Sequence, residues 1–218
     1  MPAPSEDSPY RLLVEGDDDM HTILHLLKRH QFDWDDEGTV WVKQAGGWDR
    51  LRARLRTELK SDASGLRRVG VVADANANPA GRWQAIGDAL RDAGVEVPAA
   101  LHAAGVILNQ PQGDLTRRVG VWLMPNNLIA GKLEHFIATL VPDSELWSHA
   151  DEATVKARQL GAGFPVGDHI KSRLHAWLAW QPEPGHPYGT AIGAQTLRHD
   201  SPDAQRFVQW FRRLFIEA

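Results

Sequence analysis

Three carboxylates stand where hydrophobic runs stop, or just beyond. Glu15 closes the run Tyr10–Val14, Asp74 closes Val69–Ala73, and Glu134 lies in the segment after Val119–Met124. Strand C-termini of a parallel sheet lie along one edge, and ligands bind there. Two carboxylates about 4 Å apart repel by about 4 kcal/mol at an effective dielectric near 20, so a cluster of them needs a cation. Hard oxygen donors in a chain without cysteine favour Mg2+ or Mn2+ over Zn2+. Each residue alone also has a plain reading, as a helix cap or, for Asp74 and Asn76, as turn residues. The repetition at several strand ends is what points to a site.

The surrounding pattern supplies those strand ends. Tyr10–Val14 reads as a short strand stopped by Glu15-Gly16. Met20, Ile23, Leu24 and Leu27 then recur at helical spacing, with Asp17, Asp18 and Asp19 at the start, where acids suit the helix dipole. Thr39–Val42 is expected to be a second strand, and Trp48, Leu51, Leu55 and Leu59 mark a second amphipathic helix. Val69–Ala73 is the near-uniform apolar run of a strand buried on both faces. It leads through Asp74–Pro79 to a helix carrying Trp83, Ile86 and Leu90. Val119–Met124 repeats the theme, followed by Pro125-Asn126-Asn127 and a helix through Leu133, Phe136, Ile137 and Leu140. Strand, polar turn and helix, three times over, predict an α/β domain with a mostly parallel sheet flanked by helices. From about residue 143 the pattern is helical. The expected organisation is a leader over 1–9, an α/β core over 10–142, and a helical extension over 143–218 packed on that core.

Composition narrows the classes. The chain has 218 residues, 43% hydrophobic and 24% charged, which excludes a largely disordered chain, a collagen-like chain and a coiled coil. Zero cysteines exclude disulfide frameworks, thiolate zinc sites, iron–sulfur clusters and cysteine nucleophiles. The net charge of −4 provides no global basic field, so contact with nucleic acid requires a local patch or a bound cation. No secretory signal or transmembrane run is visible, which makes a cytoplasmic location and no membrane partner the expectation.

Three stretches carry a family resemblance. Val14-Glu15-Gly16-Asp17-Asp18-Asp19 resembles the first motif of Toprim domains, a strand ending in Glu-Gly with an Asp three residues past the Gly. Val71-Val72-Ala73-Asp74-Ala75-Asn76 resembles the second, a strand ending in Asp-x-Asp. Met124-Pro125-Asn126-Asn127 with Gly131-Lys132-Leu133-Glu134 is similar to small Toprim-like proteins related to the nuclease domain of the overcoming-lysogenization-defect (OLD) family. The resemblance covers about residues 10–140. It implies a Toprim-like, Rossmann-like sheet and a nuclease cutting phosphodiesters with Mg2+ or Mn2+. Glu15 would serve in acid–base chemistry or bind metal, Asp19 and Asp74 would ligate metal, and Glu134 would ligate a second ion. Lys171, in the helical tail, would neutralise developing negative charge; its plainer reading is a solvated surface lysine. Asn76 stands where the family pattern has a second Asp, and offers magnesium a carbonyl oxygen with one negative charge fewer. OLD-like nucleases carry an ATPase in the same chain, so the resemblance implies a separate ATPase partner. The alternative reading is a Toprim-like accessory protein without catalysis, and a third is a phosphatase on a small molecule.

Other signals have simpler readings. Asp17, His21 and His25 share a helical face, but Thr22 stands where a zinc-protease helix needs Glu, so the histidines read as a solvated face. The stretch before Gly131-Lys132 lacks the first glycine of a phosphate loop, and G-x-S-x-G is absent. Arg50, Arg52, Arg54 and Arg56, and the pairs Arg67-Arg68, Arg117-Arg118 and Arg212-Arg213, are phosphate-contact candidates. Their plainer reading is a solvated face with partners such as Arg54 and Glu58. Trp177 and Trp180 are expected to pack in the core.

Overall fold

The computed structural model describes residues 7–34, 40–60 and 65–217. Thr39 and residues 1–6 of the expected leader lie outside them. Five strands form one sheet in the order β2-β1-β3-β5-β4: β1 is Tyr10–Val14, β2 Trp41–Gln44, β3 Arg68–Asp74, β4 Val106–Gln112 and β5 Leu115–Met124. The first three and β5 run parallel, and β4 pairs antiparallel with β5 through a short turn. This is an α/β fold with a mostly parallel, Rossmann-like sheet flanked by helices.

Helices α1 (Asp17–Arg29), α2 (Trp48–Lys60) and α3 (Pro79–Arg91) follow β1, β2 and β3. Their starts are written locally. Three acids fill the first turn of α1, while Asn78 caps α3 by accepting from Gly81 N, with Pro79 in the first turn. After β5 come α4 (Leu133–Ala138), α5 (Glu145–Gln159), a 3-10 turn at Val166–Asp168, α6 (His169–Ala179), α7 (Tyr188–Gly193) and α8 (Pro202–Phe215).

Alternation along the strands divides the core into two layers. Leu12, Val14, Val72, Trp122 and Met124 face α1, α4, α6, α7 and α8. Leu13, Val71, Ala73, Val121 and Leu123 face α2 and α3. The helices after residue 143 are therefore a structural half of the first layer. Phe207 and Trp210 of α8 lie ring against ring on Trp122, at centroid separations of 5.4 and 5.8 Å. Gly70 and Gly120 admit α8: a Cβ at Gly120 would overlap Leu214.

Several expectations need correction. The second strand runs over Trp41–Gln44, two residues later than expected, and β4 was not foreseen at all. Trp177 is buried, but Trp180 is exposed and lies against His149 with centroids 5.4 Å apart. His21 is exposed as expected, whereas His25 is half-buried against Gly189 and Gly193 of α7. Arg117 is neither solvated nor available to phosphate. It is buried, and it donates to the carbonyls of Glu58, Leu59 and Leu66 and to Gln110 Oε1, fastening α2 to the β4–β5 pair. Arg68 and Arg118 donate to carbonyls of Leu214, Arg213 and Glu217, where cations suit a helix C-terminus. Arg54 does pair with Glu58, at 3.6 Å.

Candidate functional site

The C-terminal edges of β1, β3 and β5 open on one place, where three carboxylates each accept a backbone N–H. Glu15, next after β1, takes the amide of Asp74 on Oε1 at 2.9 Å. Asp74, the last residue of β3, takes the amide of Leu133 on Oδ1 at 2.8 Å, which seats the start of α4 against the strand end. Asp19, in the first turn of α1, takes the amide of Gly16 on Oδ2 at 3.0 Å. Glu134 follows Leu133 directly. Adjacent parallel strands thus bring Glu15 and Asp74 into contact, and two helix starts bring Asp19 and Glu134 into the same field.

The electrostatics are those of an overcrowded anionic site. Asp19 is only 7% exposed, and burial pushes its carboxyl well above the usual range, with Asp74, Glu15 and Glu134 adding repulsion against the Gly16 amide bond. Burial and then Glu15 raise Asp74 to about 7, despite the Leu133 amide and the nearby Lys132. Glu15 is raised by burial, partly offset by the Asp74 amide and by Arg82. Asp19 Oδ1 is buried with no hydrogen-bond partner among the described residues. Leaving such an oxygen unsatisfied costs on the order of 1–3 kcal/mol, more when it is charged.

Cations form the rim. Lys171 Nζ of α6 lies 3.1 Å from Glu134 Oε1, and Lys132 Nζ lies 2.9 Å from Asp168 Oδ1. Burial pulls on Lys171, but Glu134, Asp18 and Asp168 outweigh it and hold the ammonium charged. The Asp168 hydrogen bond does the same for Lys132. Tyr188 of α7 is buried, and burial with the charges of Glu134 and Asp18 pushes its phenol upward. Its hydroxyl lies 3.4 Å from His175 Nε2.

The predicted residues Glu15, Asp19, Asp74 and Glu134 therefore share one electrostatic neighbourhood, with Lys171 on Glu134. Asn76 is placed differently. Its backbone is left-handed, φ 52°, and its N–H and C=O bond reciprocally with Gly131 at 2.6 and 2.8 Å. Asn and Asp both tolerate that conformation, so the turn itself does not select Asn over Asp. Asn78, two residues further on, caps α3. Lys132, Arg82, Tyr188 and Asp168 were missed. Lys132 had a signal, since it directly precedes Leu133-Glu134; the others depend on chain folding that no local pattern announces.

The donor set is all oxygen, its charges repel, and one buried oxygen lacks a partner. These are properties a hard divalent cation would relieve. The spacing is less ready: among the described residues, no three His, Cys, Asp or Glu side chains stand close enough to hold a metal ion as placed. Backbone amides engage Glu15, Asp19 and Asp74, and Lys171 engages Glu134. Among the described residues, no helix is long and apolar enough to cross a membrane.

Over residues 9–216 the chain matches the family model described as Protein of unknown function (DUF3226), and it belongs to that family. The description states no activity, ligand or partner. No curated protein and no solved structure matches the chain.

Proposed function

We propose that this member of the DUF3226 family is a Mg2+- or Mn2+-dependent phosphodiesterase acting on nucleic acid, on a core of Toprim type and in the cytoplasm. The observation that carries the reading is Asp19 Oδ1, buried and unpartnered beside Asp74, Glu15 and Glu134. The Toprim-like sequence around Glu15-Gly16 and Asp74 supports it, since the two strand ends are neighbours in the sheet.

Asp19, Asp74 and Glu134 would hold the cation, with the amide oxygen of Asn76 as the neutral donor. A bound ion would polarise a phosphoryl oxygen and lower the pKa of a water. Glu15, whose carboxyl burial raises above the usual range, would accept or return a proton. Lys171, already charged beside Glu134, offsets negative charge that builds on the leaving oxygen. The helix starts at α1 and α4 fix these side chains through the amides of Gly16 and Leu133.

Cleavage of supercoiled plasmid, single-stranded DNA and RNA, with Mg2+ or Mn2+, tests the proposal. Activity is expected in the wild type and lost in Glu15→Ala and Asp74→Ala. Activity surviving both substitutions overturns the site. The spacing of the acids and the Asn76 position favour one second reading, an accessory protein acting beside a separate ATPase. Gain of cleavage in Asn76→Asp over an inert wild type would support it.

A further inference from the structure

We propose that Arg82, laid on the indole of Trp48 and flanked by Arg52 and Arg50, is an anion site that takes a phosphate oxygen next to the carboxylate cluster. This rests on the phosphodiesterase reading only for what happens to the phosphate beside it. Trp48 opens α2, directly after the Gly46-Gly47 turn, and Arg82 lies in α3. The Arg82 guanidinium carbon is 3.8 Å from the indole centroid and that of Arg52 is 5.7 Å away, so one ring positions two cations. Arg50 folds over the turn, where a Cβ on Gly46 would stand 3.0 Å from its Nη1. The turn is itself tied to the site, because Gly46 N and Gly47 N both donate to the Glu15 carbonyl, at 3.0 and 2.9 Å.

Buried arginine nitrogens without a partner recur at Arg29 and Arg206, but here two of them meet on one indole. Arg82 Nη1 and Arg52 Nε are buried nitrogens with no hydrogen-bond partner among the described residues, and neither side chain has an ion pair there. Arg82 lies close enough for Glu15 to feel its charge, yet the two do not bond. Attraction of a cation to the indole face explains the stacking but not the unpartnered nitrogens. A planar fork held flat, with N–H groups unspent, matches phosphate oxygens. In a chain of net charge −4, three arginines at one strand edge are a local attraction for a polyanion that the chain as a whole repels. A strand whose backbone rests on Arg82 and Arg52 would bring the next phosphate to Glu15 and Asp74.

The test is fluorescence anisotropy with a fluorescein-labelled oligothymidylate, in EDTA and again in Ca2+, with pyrophosphate as competitor and as a separate calorimetric probe. Arg82→Ala and Arg52→Ala should each weaken binding about tenfold and lower the salt slope by about one. Trp48→Leu should weaken it as well, although an indole offers phosphate no charge, and melting curves check that each variant folds. The probe that binds more tightly identifies the source of the phosphate, a strand or a small molecule. Wild-type affinity in both Arg82→Ala and Arg52→Ala, or no binding of either probe to wild type, overturns the proposal. Metal-dependent cleavage unaffected by Arg82→Ala would sink this inference alone. Arg82-dependent binding without cleavage in any metal would sink the phosphodiesterase reading alone.

Discussion

The carboxylate of Glu15 accepts the backbone N–H of Asp74 at 2.9 Å, across 59 residues of sequence. The bond ties the ends of β1 and β3 together and places two carboxyl groups side by side at the sheet edge. It costs charge repulsion, which the buried position of Asp19 makes worse. Two predictions concern how that cost is carried, and two concern the packing around the site.

The first is pH dependence. Asp74 sits at about 7 in the folded protein against an ordinary 3.8, so between those values the native state holds a proton the unfolded chain has released. Stability without metal should therefore fall as pH rises from about 4 to about 7, then level off. Asp74→Asn keeps an acceptor for the Leu133 amide and removes the charge. It should raise stability at pH 8 by about 1–2 kcal/mol, or several degrees in Tm, and flatten the slope. Thermal melts in EDTA across the pH range check both.

The second concerns the Lys171–Glu134 pair. Lys171 is the exposed partner and Glu134 is nearly buried. Lys171→Met should free Glu134 for a cation and tighten Mn2+ binding about tenfold, the size of one close charge at an intermediate dielectric. Paramagnetic titration of free Mn2+ reads this directly. Unchanged affinity would mean that Glu134 takes no part in binding.

The third concerns the loop that delivers α4. Asn127 Oδ1 accepts from Leu123 N at 2.7 Å, buried, while its own backbone is left-handed at φ 69°. Asn127→Ala orphans that amide and strains the backbone, and should cost about 2–4 kcal/mol. Denaturant melts measure the loss, and Asn127→Asp should recover much of it.

The fourth concerns α8. Gly120→Ala would press a methyl group into Leu214, a buried overlap of the kind that costs about 1–3 kcal/mol. Near-UV circular dichroism should change too, because Trp122 and Trp210 sit at that contact. An unaltered spectrum and melting point would show that α8 yields freely.

Strands β1, β3 and β5 were legible because both faces of each are covered, which writes a near-continuous apolar run. Helices α1 to α3 were legible because only one face of each is covered. Strand β4 escaped because it lies at the sheet edge: Val106-Ile107-Leu108 passes into Asn109-Gln110-Pro111, and polar side chains hide the run. Its one signal was the Gly113-Asp114 turn before β5. Glu15, Asp74 and Glu134 were legible at the site from their place after apolar runs. Arg82, Lys132 and Tyr188 were not, because a charge or a phenol joins a site through tertiary placement rather than spacing. Trp180 misled for a similar reason, since helical periodicity marks a face but not where the covered stretch ends.

The central claim is that the carboxylates at the end of β3 and the starts of α1 and α4, beside Glu15, accept one divalent cation. Isothermal titration of Mn2+ into wild type, Asp19→Asn and Asp74→Asn tests it most directly. Saturable binding at millimolar concentration or below in the wild type, lost in both variants, is the predicted result. No heat in the wild type, or the same affinity in all three proteins, would contradict it.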